Sequence, residues 1–541
     1  MRAWDVGRSE GRAVTVRIRV YLSPGTKVRP RPTGLTSREN RQNRSYEEKQ
    51  MTTAATLLGA SSPSSSWDAI NWRTMREHVQ RLQMRIAKAT REGRWGKVKA
   101  LQWLLTHAFS AKCLAVRRVV RNAGRNTAGV DGVLWKTSGQ RWQAARSLQR
   151  RGYQPQPLRR IYIPKKNGKL RPLGIPTVGD RAMQALYLFA LEPVSETVAD
   201  PNAYGFRPKR ATADAIEQCF NALAQKRSAQ WIFEGDIKAC FDQISHGWLV
   251  DHIPMDKPVL GKWLAAGYMA EGIVHPTEAG TPQGGIASPV LANMALDGLE
   301  AVATAAAPRH QKINVVKYAD DFVITGASKE VLEMAVKPAV VAFLKERGLT
   351  LSEEKTHITH IDDGFDFLGF NVRKYGGKLL IKPAKQAVQR FLDGIRELIK
   401  ANAASKTVDL IRQLNAKLRG WANYYRHVIA NQTFSFVDHQ VFLALSAWIK
   451  RRHPNKSARW QQRRYFRPAG QRTWVFSANR DAPGQRTYLD LFRVTSTPIV
   501  RHIKIRARAT PYDPAFTDYF IRRAQARRVD RLAWRGMQVR V

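Results

Sequence analysis

Two adjacent carboxylates, Asp320 and Asp321, lie between the apolar runs Val315-Val316 and Phe322-Val323-Ile324. Two strands joined there by a tight turn would present both acids at a hairpin tip. Bare carboxylates side by side repel, so the pair suggests a cation between them. Taken alone, the dipeptide is explained as well or better by an ordinary acidic surface turn. A third acid shifts that balance. Trp231-Ile232-Phe233-Glu234-Gly235-Asp236 reads as a strand ending in an acid, with Phe241 five residues beyond Asp236. Carboxylates converging from different strands are what two-metal phosphoryl transfer needs, to hold two Mg²⁺ ions about 3.5–4 Å apart. One ion lowers the pKa of the attacking hydroxyl, and the other neutralises the leaving pyrophosphate. Asp236, Asp320 and Asp321 are therefore the candidate catalytic and metal-holding set.

The rest of the composition fits chemistry on a polyanion. The chain has 541 residues, 90 Lys and Arg against 43 Asp and Glu, and a formal charge of +47. A charge that large opposes compaction unless a polyanion neutralises it, so RNA or DNA is the expected partner. The length calls for two to four domains. Cys113, Cys219 and Cys240 are the three cysteines, without the close pairing of a disulfide framework or zinc knuckle. No apolar run reaches the roughly 18–20 residues of a bilayer span, so no membrane partner is expected and the expected location is the cytoplasm.

Several elements must position these acids. Residues 1–60 carry scattered Arg and a Ser/Pro-rich stretch with little to bury, and are expected to form a disordered extension, with Met51 as a plausible start. Residues 71–120 have apolar positions at helical spacing, including Leu82, Ile86, Leu101 and Leu105. Leu158 to Pro164 and Leu170 to Ile175, around Lys-Asn-Gly-Lys, fit a hairpin. A helix is expected over 212–226, strands over 231–237, 313–318 and 322–325, a helix over 330–347, and loops over 250–289. Beyond residue 380 two stripes recur, Val388-Phe391-Leu392-Ile395-Leu398-Ile399 and Leu410-Ile411-Leu414-Leu418-Trp421, which by themselves mean helix packing. The final stretch interleaves many Lys and Arg with Trp460, Tyr465, Phe466, Trp474, Phe476 and Tyr488, a composition suited to phosphates and stacked bases.

An Asp-bearing strand with an aromatic at +5, followed by Tyr318-Ala319-Asp320-Asp321, resembles the palm of reverse transcriptases. The surrounding blocks resemble, in order, those of the group II intron-encoded proteins, which are both reverse transcriptases and intron maturases. Those blocks are Asn126 to Gly132, Ile161 to Pro176, Tyr204-Gly205-Phe206-Arg207-Pro208, Gly280-Thr281-Pro282-Gln283-Gly284-Gly285, Leu351 to Thr356 and Phe367-Leu368-Gly369-Phe370. Leu418-Arg419-Gly420-Trp421-Ala422-Asn423-Tyr424-Tyr425 resembles the most recognisable segment of their thumb. The resemblance implies an α+β, right-hand polymerase: fingers and an antiparallel palm over 61–380, a helical thumb or maturase domain over 381–470, and a basic DNA-binding appendage over 471–541.

The same resemblance implies an RNA-directed DNA polymerase using two Mg²⁺ ions held by Asp236, Asp320, Asp321 and the Ile237 carbonyl. Lys165 and Arg171 would grip the incoming deoxynucleoside triphosphate, Phe241 would exclude a ribose 2′-hydroxyl, and Gln283 would lie near the sugar. Lys355, Arg419, Trp421, Tyr424 and Tyr425 are candidate RNA or DNA contacts. The implied partners are group II intron RNA, whose splicing the protein assists, and target DNA, into which the intron is copied by target-primed retrohoming; monomer and homodimer both remain open. The implied setting is a bacterial cytoplasm or nucleoid. Many relatives end in a His-Asn-His endonuclease with paired cysteines, and no cysteine follows Cys240, so second-strand cutting is not expected. A splicing-only maturase and a retron or defence reverse transcriptase are the alternatives.

Overall fold

A computed structural model describes residues 66–164, 168, 170–281, 284–482 and 485–539. The expectation for residues 1–60 and the assignments to Lys165 and Gln283 lie outside these. Three helices open the described chain, α1 (Trp72–Arg91), α2 (Trp95–His107) and α3 (Phe109–Arg121). They pack on the long helix α4 (Val178–Val198), which buries residues all round its circumference. The hairpin β1 (Leu158–Pro164) and β2 (Leu170–Ile175) forms as its apolar runs require, with Ile163 opposite Arg171.

Residues 250–289 hold more order than their loop-like composition suggests. Beside short helices, β4 (Tyr268–Ala270) and β5 (Ile273–His275) complete a sheet of order β2-β1-β4-β5. Strands of three residues carry no readable alternation, and β4 forms because Leu158 and Arg159 of β1 offer a parallel edge to Tyr268 and Met269.

The palm sheet has the order β6-β7-β3-β8, from β3 (Trp231–Asp236), β6 (Asn314–Tyr318), β7 (Asp321–Gly326) and β8 (His357–His360). Its strands are apolar at consecutive positions because both faces are covered. Phe233, Val315, Phe322 and Ile324 point into one core with the N-terminal helices. Ile232, Val316 and Val323 point into a second core with the later helices. Gly235 sits inside β3 because the Phe322 ring occupies the space of its side chain, where a Cβ would lie 2.2 Å from the ring.

After helix α5 (Thr212–Leu223) and the palm come β9 (Phe365–Phe367), β10 (Phe370–Tyr375) and β11 (Lys378–Pro383), then α6 (Lys385–Ala401), α7 (Thr407–Tyr425) and α8 (Asn431–Arg452). The two stripes at 388–399 and 410–421 face this second core. Trp421 stacks on Phe391 with ring centroids 4.7 Å apart. Tyr425 is 3% exposed and donates its hydroxyl to the Gly369 carbonyl at 3.1 Å, while Tyr424 donates to Leu368 at 2.8 Å. Leu368 and Gly369 both have positive φ, 53° and 81°. The two blocks Phe367-Leu368-Gly369-Phe370 and Trp421-Ala422-Asn423-Tyr424-Tyr425 are thus one joint between palm and thumb. Nucleic-acid contact, expected at Trp421 and Tyr425, does not suit side chains committed to packing. Tyr425→Phe should cost about 1 kcal/mol in denaturant unfolding, the ordinary value of a buried neutral hydrogen bond.

The basic C-terminal stretch is tied back onto the body. Strands β12 (Phe466–Ala469), β13 (Arg472–Ala482) and β14 (Gln485–Asp490) form a small sheet, followed by an irregular strap and helix α9 (Thr517–Val539). Buried Asn415 of α7 donates to Asp490 and accepts from the Phe492 amide. Asp214 of α5, fully buried, accepts from the Ile505 amide, His502 and Arg523. These residues sit inside the same compact unit as palm and thumb.

Candidate active site

The register of the palm sheet brings the acids together. Asp236 is paired directly with Asp321 across β3 and β7, and Tyr318 with Asp321 across β6 and β7. Ala319 and Asp320 form the turn, and Ala319 holds φ at 58°, a region that residues with a Cβ seldom adopt. The turn is held from behind. Tyr204 donates its amide to Lys317 at 2.8 Å, and Lys317 donates to Asn202 at 3.0 Å. Gly205 then lies so close that a Cβ would fall 2.2 Å from the Ala319 nitrogen. This explains the Tyr204-Gly205-Phe206-Arg207 block: glycine permits the approach, and Arg207 locks it through a bidentate, buried pair with Glu196 at 2.8 and 3.0 Å.

Lys317 itself is buried beneath the turn. Its ammonium meets Asp200 at 3.1 Å, Asp297 at 3.3 Å and the Leu296 carbonyl at 2.5 Å. Sequence reasoning passed over this lysine. Its position inside an apolar strand, immediately before the acidic turn, was the available signal.

Crowding of negative charge shows in the carboxyls. Burial, reinforced by Asp320 and by a hydrogen bond and charge from Asp236, pushes Asp321 up to about 7. Burial also raises Asp320, with Asp236 adding and Arg171 and Lys355 opposing. Arg171 on the fingers hairpin is thus electrostatically felt at the palm. Lys355 donates to Asp236 at 2.8 Å, which places it beside the three acids. It arrives there because Ser352 donates to the Asp236 carbonyl and Lys238 to Thr350. Backbone alternation turns the Ile237 carbonyl to the opposite edge, that of the acidic turn.

Phe241 is the second residue of a one-turn helix, Cys240–Gln243, entered through Ala239 at φ 45°. Gly280 packs against its backbone, where a Cβ would lie 2.6 Å from the Phe241 oxygen, and Thr281 donates to that oxygen at 2.6 Å. The Gly280-Thr281 segment therefore fixes the main chain of Phe241. Cys240 is buried, and burial pushes its thiol up to about 12, which disfavours the thiolate. Arg419 lies over the Phe492 ring at 5.2 Å, and Tyr424 is 40% exposed, stacked on Phe370.

A cation fits this site chemically: Asp320 and Asp321, both raised by burial and by the negative charge beside them, gain from one. Among the described residues the side chains are not drawn into a ready-made ligand cluster. Asp236 is instead neutralised by Lys355.

Three family models match successive parts of the chain. Residues 67–148 match the N-terminal domain of reverse transcriptase, 163–372 the reverse transcriptase (RNA-dependent DNA polymerase) model, and 388–466 the group II intron maturase-specific domain. The chain is 32% identical over 325 residues to the protein YkfC of Escherichia coli (strain K12), covering 51% of this chain and 84% of that one. This chain belongs to the group II intron-encoded reverse transcriptases. The group II intron-encoded protein LtrA of Lactococcus lactis subsp. cremoris is 29% identical over 410 residues, covering 58% of this chain and 68% of that one. A solved telomerase from Candida albicans matches at 12% identity and a TM-score of 0.34, over 57% of this chain and 64% of that one. The family's right-hand polymerase fold agrees with the helices and antiparallel sheets described here, and dependence on a divalent metal goes with the family. Among the described residues no helix is long and apolar enough to cross a membrane.

Proposed function

We propose that this reverse transcriptase and maturase extends a DNA primer on an RNA template with two Mg²⁺ ions, and that it binds its own intron RNA to assist splicing. The observation that carries the polymerase reading is the direct pairing of Asp236 with Asp321 beside Asp320, within reach of Arg171. Asp236, Asp320, Asp321 and the Ile237 carbonyl would hold the ions, which supply charge neutralisation at the attacking primer hydroxyl and the leaving pyrophosphate. The chain's own residues do the rest. Arg171, with Lys165, clamps the triphosphate. Lys355 neutralises Asp236 until substrate and metal enter. Phe241 lies beneath the sugar and excludes a 2′-hydroxyl, and a sugar-side role for Gln283 is what the family resemblance implies.

Residues 61–380 serve as fingers and palm, 381–470 as thumb and maturase region, and 471–541 as a basic surface for target DNA. Its strong positive charge supplies affinity for phosphates, and RNA shape supplies specificity. The maturase-specific match favours this reading over a retron-type enzyme.

Purified protein should extend a primer on RNA with deoxynucleotides and Mg²⁺, and should lower the Mg²⁺ needed for splicing of its flanking RNA. Failure of extension with splicing intact would leave a splicing-only maturase. Phe241→Ala should loosen discrimination against ribonucleotides by roughly a hundredfold, read as the ratio of kcat/KM for the two sugars.

A further inference from the structure

Phe206 is a bulky residue in the left-handed region, with φ 58°, and its side chain is 52% exposed. A large side chain rarely persists in that conformation unless its surroundings over-determine it. Burial of its own ring does not supply the reason, because half of the ring faces solvent. The backbone on both sides is fixed to the catalytic hairpin instead. Gly205 lies against Ala319, its carbonyl accepts from buried Asn293 at 2.8 Å, and Arg207 is locked by Glu196. These contacts hold the backbone that carries the Phe206 ring. The ring stands edge-on to Phe241, centroids 6.1 Å apart and planes at 79°.

Phe241 needs such a neighbour. Its main chain is gripped by Gly280 and Thr281, but the ring itself is only half-buried. A ring that excludes a single hydroxyl must keep one rotamer, since a swing about χ1 would open the space it guards. We propose that Phe206 is a positioning residue for sugar selection: edge-to-face contact with Phe241 holds that ring in the orientation that rejects a ribose 2′-hydroxyl. The strained backbone at Phe206 is explained by this task. The inference rests on reading Phe241 as the sugar gate.

The test compares single-nucleotide incorporation of deoxy- and ribonucleotides by the full chain and by Phe241→Ala, Phe206→Gly, Phe206→Tyr and the double variant Phe206→Gly/Phe241→Ala. Glycine adopts φ 58° without strain, so Phe206→Gly removes the ring and relieves rather than disturbs the backbone. Its discrimination ratio should fall about two- to tenfold, the effect of losing one edge-to-face aromatic pair, chiefly through a lower KM for ribonucleotides. Phe206→Tyr, which keeps the edge contact, should retain wild-type discrimination. The double variant should match Phe241→Ala alone, because one residue acts through the other. An unchanged ratio in Phe206→Gly beside a loosened Phe241→Ala overturns the inference. So does an equal loss for both sugars, which would mark a purely structural role. An unchanged ratio in Phe241→Ala overturns the gate reading itself.

Discussion

Asp320→Ala and Asp321→Asn should each reduce primer extension about a thousandfold or more, since each removes charge stabilisation that only the transition state exploits fully. The same substitutions should leave the metal-free fold as stable or more stable. Asp236, Asp320 and Asp321 repel one another in a partly desolvated site, and burial with that repulsion lifts Asp321 to about 7. An unfolded aspartate titrates near about 3.9. Between these two values the folded chain holds a proton that the unfolded chain has released. Its stability from this group therefore falls as pH rises from about 4 to about 7, by an amount of a few kcal/mol at most.

Melting in EDTA across that window should show this slope in the wild type and lose it in Asp321→Asn. Added Mg²⁺ should raise the melting temperature of the wild type at pH 7.5 and raise it less in Asp320→Ala. A melting temperature that drops on Asp321→Asn in EDTA would contradict the account of mutual repulsion. Persistence of extension in Asp320→Ala would contradict the metal assignment.

The second large effect is expected at Lys317→Met. Methionine replaces the aliphatic stem but not the charge that lies between Asp200 and Asp297, whose side chains are 8% and 10% exposed. Removing one partner from a buried charge cluster leaves the others uncompensated, at a cost of about 3–5 kcal/mol. The loss should appear in chemical denaturation and as weaker primer extension, because Lys317 also exchanges backbone hydrogen bonds with Asn202 and Tyr204 behind the acidic turn. Adding Asp297→Asn to Lys317→Met should recover part of the stability, since it removes one stranded charge. If Lys317→Met unfolds at the wild-type denaturant concentration, the cluster is not what seats the hairpin.

These two results separate two layers of the same site. On the proposed reading Asp320 and Asp321 are tolerated in a destabilising arrangement for the sake of chemistry, whereas Lys317 holds the strand that presents them. In the proposed reading Phe206 belongs to the second layer as well, a strained residue that acts through its neighbour Phe241.

Much of this was legible in the residues. Apolar runs expected as strands over 231–237, 313–318 and 322–325 form β3, β6 and β7 to within a residue, and the acids lie at their ends. Helical spacing at 388–399 and 410–421 likewise specifies thumb helices, because periodicity is a local property of the chain.

What the local pattern could not carry was pairing between distant segments. Nothing near Lys355 announces that Ser352 will bond to the Asp236 carbonyl and deliver the ammonium to a carboxylate 119 residues away in sequence. The blocks around Gly369 and Tyr425 read as two separate signatures, yet hydroxyl-to-carbonyl bonds make them one joint. A basic tail rich in aromatics reads as an appendage, and it takes buried groups far away in sequence, Asn415 meeting Asp490 and Phe492 and Asp214 meeting Ile505, His502 and Arg523, to tie it to the body. The sequence by itself determined the three acids, their strands and the charge that calls for nucleic acid, because side-chain type and period encode these directly. The tertiary structure alone decided which cations face those acids and which aromatic ring meets Phe241, because such contacts depend on sheet register and on close approaches at Gly205 and Gly280 that no single segment specifies.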